Sequence, residues 1–416
     1  MTESQPYFFD LDPEGLTEHV QRMGMPAYRA GQLLDWVYRK GVIDPAAMTN
    51  LSQRDRQTLA TPGPGGMAFT SGTVVGHQRA SDGTQKLLLA WDDRLRRLGV
   101  AEPSDGEQSL SLLDDPARQT ECVMIPSQDA TRARRTACVS SQVGCPVGCR
   151  FCASGLGGLD ANLTAGQIVE QVWRLAQPLA ASRNSTMNPG PRQAPPLREA
   201  ASGSDYRITH VVFMGMGEPL ANFEQVTRAV RTLMAPWGMG ISGRRITIST
   251  VGLPAQMRRL AELDLPITLA ISLHAPNDAI RRRIIPWAKF VAMEQILDAG
   301  RYYFERTGRE ITLEYILLHG VNDQPQHARE LAAVARTLRS NVNLIRYNEV
   351  EPLPFARPSD GDVLAFERIL RAAGVNTHIR ASRGRDIAAA CGQLRHEQNR
   401  IEPPRHQEHQ EEIISG

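Results

Sequence analysis

The chain has 416 residues, of which 41% are hydrophobic and 22% charged, and a formal net charge of +2. This composition specifies a folded chain of two or three domains with a large core, and it excludes a polybasic arm or an acidic tail as the means of binding. No apolar run approaches the roughly 18 residues of a membrane span. The start, Met1 to Pro6, has no basic region followed by an apolar stretch, so a cytoplasmic protein is expected.

From Leu16 to Ala60 apolar residues recur at helical intervals, with breaks at Gly41 and Pro45, which predicts a small helical module over 1–62. Over 63–135 the period shortens. FTSGTVVGHQRASDGTQKLLLAWDD predicts a hairpin turning at Asp82-Gly83, and ECVMIP a further short strand, with a polar insertion over 97–119 between them.

From Cys138 onward, short apolar runs precede helical patterns. ITHVVFMGMG leads to Phe223–Met234, RRITIST to Pro254–Glu262, and LPITLAISLHA to Ala279–Ile284. EITLEYILL then leads to Ala328–Leu338 and NVNLIRYN to Asp362–Ala373, and NTHIR closes the series. Such alternation predicts parallel βαβ units, a barrel-like or open α/β sheet with its chemistry at the C-terminal strand ends. About six repeats are visible, fewer than a closed eightfold barrel needs. A second insertion over 177–205 and a tail over 396–416 are polar and aperiodic, and read as disordered.

The basic residues are nearly all arginine, with lysine only at 40, 86 and 289. Clusters at Arg132/Arg134/Arg135, Arg244/Arg245, Arg258/Arg259, Arg281–Arg283 and Arg380/Arg383/Arg385 are candidates for gripping a phosphate backbone.

Six cysteines in a chain of this size do not form a disulfide framework in a reducing compartment. Cys145, Cys149 and Cys152, in CPVGCRFC, have the spacing C-x3-C-x2-C. Three thiolates from one loop leave one iron of a 4Fe–4S cubane open to another ligand. That iron could bind the amino and carboxylate groups of S-adenosylmethionine (SAM), and the cluster could then donate an electron to the sulfonium. A zinc site with Cys138 as fourth ligand, or three buried metal-free cysteines, are the alternatives. The glycines of this segment, among them Gly144, Gly148 and Gly158, suit a loop wrapped closely around a cluster.

The run CVSSQVGCPVGCRFCASG, continued by LDANLTAGQIVEQV, resembles the RlmN/Cfr group of radical SAM RNA methyltransferases. FMGMGEPL, ITISTVGLP, LAISLHAPND, LEYILLHGVND, NLIRYN and SRGRDIAAACGQL follow in that group's order, so the resemblance spans about residues 15 to 395 apart from the insertions. It implies a partial (β/α)6 radical SAM barrel over 136–395 with an N-terminal helical accessory domain that helps the arginines grip folded RNA.

The resemblance also implies site residues. A 4Fe–4S cluster would sit on Cys145, Cys149 and Cys152, and SAM would meet Gly217, Glu218, Ser249, Ser272, Leu273, His274 and Asn348. One SAM would methylate Cys391. A radical from a second would activate that methyl group for addition to adenine, Glu121 would take the ring proton, and Cys138 would release the product, leaving a Cys138–Cys391 disulfide. The implied substrates are 23S rRNA and tRNA, methylated at adenine carbon-2. A Cfr-type carbon-8 enzyme is the near alternative, and a zinc-stabilised RNA-binding protein without catalysis a more distant one. An electron donor such as flavodoxin or ferredoxin and a monomeric state are expected. Cys122 matches no role and is expected to be packed in its strand.

Overall fold

A computed structural model describes residues 5–91, 118–127, 134–177 and 207–394. The two insertions, the tail and Arg132 lie outside these residues, apart from boundary positions. One boundary moves: Gln119, placed at the end of the first insertion, is a buried residue opening a strand.

The N-terminal module comprises α1 (Pro13–Arg22), α2 (Arg29–Leu34), which runs on as a π-helical turn over Asp35–Arg39, and α3 (Gln53–Ala60). Asp12 and Ser52 cap α1 and α3 by accepting from Gly15 and Asp55 amides. The barrel follows in chain order. The hairpin β1 (Gly72–Arg79) and β2 (Gln85–Trp91) pairs antiparallel with β3 (Gln119–Pro126), and β3 with β4 (Arg135–Cys138). A small antiparallel pair, β5 (Gln142–Gly144) and β6 (Leu159–Asn162), precedes α4 (Ala165–Ala176).

The remaining units are β7 (His210–Phe213) with α5 (Phe223–Met234), β8 (Ile246–Thr250) with α6 (Pro254–Ala261), and β9 (Thr268–Ser272) with α7 (Asp278–Ile284) and α8 (Met293–Thr307). Then come β10 (Ile311–Leu317) with α9 (Pro325–Ala335), β11 (Ser340–Arg346) with α10 (Asp360–Ala372), and β12 (Thr377–Arg380). Omitting β5 and β6, all strands form one sheet in sequence order, parallel from β4 to β12. Among the described residues no pairing joins β12 to β1, so the barrel is open.

The alternation of strands and helices was legible as periodicity, but α4 and α8 were not. Helix α4 has a polar stripe at Gln167, Glu170 and Gln171, but these side chains are buried with the rest of the helix. Helix α8 is interrupted in sequence by Gly300, whose missing side chain admits Ile311 and Ile271 of the sheet. The N-terminal module shares the barrel's core rather than holding its own. Phe9 packs on Trp173 of α4, whose indole N–H donates to the Val37 carbonyl at 2.8 Å. Buried Glu170 of the same helix accepts from the Tyr7 hydroxyl at 2.5 Å and from the Ser71 amide at 2.8 Å. A buried carboxylate holding both module and hairpin leaves little freedom between them.

Candidate active site

The cysteine loop is the hairpin loop between β5 and β6, closed at its base by the Cys145 amide donating to the Gly158 carbonyl at 2.7 Å. Gly144 makes that closure possible. Its φ is +74°, and a Cβ there would lie 2.0 Å from the Gly158 oxygen. Cys145, Cys149 and Cys152 pack against one apolar cluster with Val147, Phe151, Ile284 and Ile285. Burial pushes the Cys145 thiol up to about 12, and raises Cys149 and Cys152 too. A buried thiolate needs a metal or another positive charge to compensate it.

Among the described residues no three His, Cys, Asp or Glu side chains surround a point that could hold a single ion. Cys138 does not join the loop as a fourth ligand. It ends β4 opposite Val123 of β3 and Val212 of β7, and lines a cavity of about 460 Å³ together with Cys391, Asn348 and Arg380.

Period-2 geometry puts the proposed base on the same face. Cys122 and Met124 of β3 point into the main core, so Glu121, Val123 and Ile125 point inward. Lys86 of β2 pairs in register with Val123 and therefore shares that face. Its ammonium lies 2.7 Å from Glu121 Oε1, with the two side chains 10% and 9% exposed, and also donates to the Ala388 carbonyl at 3.3 Å.

Cys391 arrives from the far end of the chain on a loop after β12. Asn348 donates to the Cys391 carbonyl at 3.2 Å, and the Ala153 amide, just past the third loop cysteine, donates to the Gly392 carbonyl at 2.8 Å. Asp82 and Asp386 tie this loop to the hairpin turn, accepting from the Gly384 and Ser81 amides. All six cysteines are free. Burial, then the neighbouring Cys391, pushes the Cys138 thiol up to about 12, while the Arg380 guanidinium opposes the rise. Arg380 is itself held by Glu314 at 3.4 Å, and is kept charged first by Cys391 and then by Glu314.

The positions implied for SAM cluster at the ends of β7 to β11. Gly217 has φ +102°, and a Cβ there would strike Gln142 and Ser141 at 2.7 Å. Glu218 is buried and spans two strand ends, accepting from the Leu220 amide at 2.9 Å and the Val251 amide at 2.8 Å; burial raises it to about 7. Ser249 and Ser272 share a hydrogen bond of 3.1 Å across adjacent strands. Leu273 is fully buried, with its amide donating to the Glu314 carbonyl at 3.1 Å. His274, at φ +58°, accepts through Nδ1 from the Ile316 amide at 3.2 Å, and burial, then Arg281, lowers it to about 3, so the ring is neutral. Asn348 is buried with its Oδ1 unpartnered among the described residues, an acceptor facing the cavity.

Residues 139–332 match the Radical SAM superfamily, and residues 8–62 match the ribosomal RNA large subunit methyltransferase N-terminal domain. Proteins of Gloeobacter violaceus and Synechococcus sp., each described as a probable dual-specificity RNA methyltransferase RlmN, are 41% and 42% identical to this chain. They cover 92% and 91% of it, and 93% and 95% of their own lengths are matched. The crystal structure of a radical SAM methyltransferase from Sphaerobacter thermophilus superposes with a TM-score of 0.78 at 39% identity, over 94% of this chain and 99% of that one. The chain belongs to the RlmN family of radical SAM RNA methyltransferases.

For an RlmN-family member the donor set fits the family's cofactors. The three loop thiols could hold a 4Fe–4S cluster, and the strand ends with Asn348 Oδ1 could hold SAM. The arginine clusters fare less evenly. Arg281 is fully buried and donates to the Val251 carbonyl at 2.6 Å, and Arg380 points into the cavity. Arg258 and Arg259 are ion-paired with Asp298 and Glu224. A run of arginines in sequence therefore scatters over interior and surface, because a helix or strand sends neighbours in different directions. Lys86 was missed as a site residue. Its rarity in an arginine-rich chain was visible, but its partner was not.

Proposed function

We propose that this enzyme methylates carbon-2 of adenosine in 23S rRNA and in tRNA, beside the anticodon, through a methylated Cys391. The observation that carries the reading is the single inward face of Lys86, Glu121 and Cys138, with Cys391 on the shared cavity wall and its loop hydrogen-bonded to the cysteine loop. A pair of cysteines outside the cluster set, beside a carboxylate, suits a covalent methyl carrier with a resolving thiol and a base.

When bound, the 4Fe–4S cluster and SAM supply a methyl group and a carbon radical. The chain's residues do the rest. Cys391 carries the methyl group as a thioether and becomes linked through it to the adenine ring. Glu121, held by Lys86, takes the ring proton as the radical adduct gives up one electron, which the bound cluster would accept. The Cys138 thiolate, favoured by Arg380, attacks the Cys391 sulfur and breaks its bond to the methylene carbon, which takes up a proton to become the methyl group; this frees the RNA and leaves a Cys138–Cys391 disulfide for reduction by an external donor. A nucleotide turned out of its stack would have to enter the cavity, and the N-terminal module and exposed arginines are suited to hold the surrounding RNA by shape.

The test is anaerobic incubation of reconstituted enzyme with SAM, a reductant and an unmodified ribosomal RNA fragment, followed by nucleoside mass spectrometry. 2-Methyladenosine is expected. 8-Methyladenosine would move the protein to the Cfr-type reaction, and neither product with SAM still cleaved would overturn the RNA assignment. A colourless preparation containing zinc would overturn the cluster.

A further inference from the structure

Arg281 stands in a run of three arginines, yet its side chain is 0% exposed while Arg282 and Arg283 face solvent. No other arginine among the described residues is buried to this degree. Its Nη2 donates to the Val251 carbonyl at 2.6 Å and its Nη1 reaches the Val291 carbonyl at 3.5 Å. Both acceptors are neutral, and Nε has no partner among the described residues. Arginines that are less buried are matched by acids: Arg29, Arg174 and Arg380 reach the carboxylates of Asp55, Glu170 and Glu314. Among the described residues no carboxylate lies within ion-pair distance of Arg281.

A guanidinium keeps its proton, so burial leaves a fixed positive charge where water does not screen it. Buried charges are paired, and the groups placed to pair with this one are the loop thiols once ionised. The cysteine loop packs on α7, the helix that carries Arg281. The Arg150 amide donates to the Ile284 carbonyl at 2.9 Å, and Val147, Cys149 and Phe151 share an apolar cluster with Ile280, Ile284 and Ile285. Burial works against the charged guanidinium, while Cys149 and then Asp278 favour it, and Arg281 in turn favours the Cys149 thiolate. Asp278 is engaged by the Met293 amide, from which it accepts at 2.9 Å. Val251, whose carbonyl accepts from Arg281, donates its own amide to Glu218 at 2.8 Å, so one residue joins Arg281 to the strand ends implied for SAM.

We propose that Arg281 is a fixed counter-charge for the iron–sulfur cluster, stabilising its reduced form and so raising the potential at which it accepts an electron. The inference rests on the cluster reading above. Three thiolates outweigh the positive charge of an oxidised 4Fe–4S core, and each electron added makes the site more negative still. A guanidinium already buried and oriented stabilises the more negative state more, with no reorganisation at the moment of reduction. Without the cluster no carboxylate offsets that charge, so the arginine costs the fold stability that loading restores. Arg281 acts through the cluster and is a tuning residue, not a catalytic one.

Three variants test this in the full chain. Arg281→Gln removes the charge and keeps a donor for the Val251 carbonyl, Arg281→Lys keeps the charge, and Asp278→Asn removes a carboxylate that acts on Arg281 and keeps an oxygen for the Met293 amide. Each protein is reconstituted anaerobically and titrated with dithionite while electron paramagnetic resonance reads the reduced fraction. Expected for Arg281→Gln is a reduced-to-oxidised ratio about tenfold lower at a fixed potential, a midpoint lowered by about 59 mV for a one-electron couple. Arg281→Lys should recover most of that difference, and Asp278→Asn should move the midpoint upward. Urea denaturation gives a readout independent of the potential: Arg281→Gln should cost clearly more stability in the iron-loaded protein than in the metal-free one, whereas an arginine needed only for packing costs the same in both. An unaltered midpoint in Arg281→Gln, equal stability losses with and without iron, or an Arg281→Lys midpoint as low as that of Arg281→Gln overturns the proposal. If Arg281→Gln does not fold, Asp278→Asn decides, and an unaltered midpoint there overturns it. A reconstituted, unaltered protein without iron and sulfide would sink the cluster reading itself and this inference with it, before any variant is compared.

Discussion

Replacing Lys86 by methionine keeps most of the side chain's length and removes its charge, so Glu121 in the barrel wall loses the ammonium that lies 2.7 Å from it. Two unit charges 2.7 Å apart attract by roughly 6 kcal/mol at an effective dielectric constant of about 20. Holding both side chains about nine-tenths out of water costs several kcal/mol for each ion, so the pair as a whole adds little net stability. Removing one partner is different, because the desolvation of the other persists without the attraction. Lys86→Met and Glu121→Gln are each expected to destabilise the folded protein by about 3–5 kcal/mol. The double variant, with no stranded charge, should lose clearly less than the sum of the two, a coupling of at least about 2 kcal/mol. Urea denaturation of the iron-loaded proteins under anaerobic conditions reads all four corners of the cycle. The same variants report on the chemistry through RNA carrying tritium at adenine carbon-2. Lys86→Met should retain SAM cleavage yet release tritium to solvent roughly 100-fold more slowly, the low end of what a positioned base contributes. Additive stability losses, together with unaltered tritium release, would refute the idea that the ammonium holds Glu121 ready.

Three further outcomes follow from the geometry. Cys391→Ala should accept no methyl group, and Cys138→Ala should accumulate a covalent protein–RNA adduct on a denaturing gel; an adduct-free Cys138→Ala lane would remove that thiol from the release step. Gly144→Ala places a Cβ 2.0 Å from the Gly158 oxygen at φ +74°, so the cysteine loop should fail to close and bound iron should fall several-fold while the circular dichroism of the fold is kept; full iron content would contradict this. His274, neutral when folded, has its pKa lowered from 6.5 to about 3, so its contribution to stability is present above about pH 6.5 and is lost as pH falls toward 3. That loss amounts to about 1.4 kcal/mol per pH unit. His274→Asn suits the left-handed backbone and keeps an acceptor for the Ile316 amide, so its stability should fall less steeply below pH 6.5; parallel curves for the two proteins would dismiss the buried ring as the cause.

Local spacing was enough for much of this protein. The three loop cysteines lie within eight residues, so their chemistry could be read without knowing how the rest of the chain packs. Strand and helix periods, the hairpin turn at Asp82-Gly83 and the series of βα units were likewise short-range, since each depends on which residues alternate or recur along a few turns of chain. The proposed roles of Glu121, Cys138 and Cys391 came from resemblance alone, because nothing near each of them in sequence distinguishes it from a packed thiol or a strand-edge carboxylate. What the tertiary structure decided is which of them face each other. The register of β2, β3 and β4 turns Lys86, Glu121 and Cys138 to one side, and the end of β12 and the loop after it bring Arg380 and Cys391 to the cavity that Cys138 lines. It also sorted the arginines, burying Arg281, pairing Arg258 with Asp298 and leaving Arg282 and Arg283 exposed. The charge of a side chain is written in the sequence, but whether that charge is buried, neutralised or available depends on neighbours brought close only when the sheet assembles.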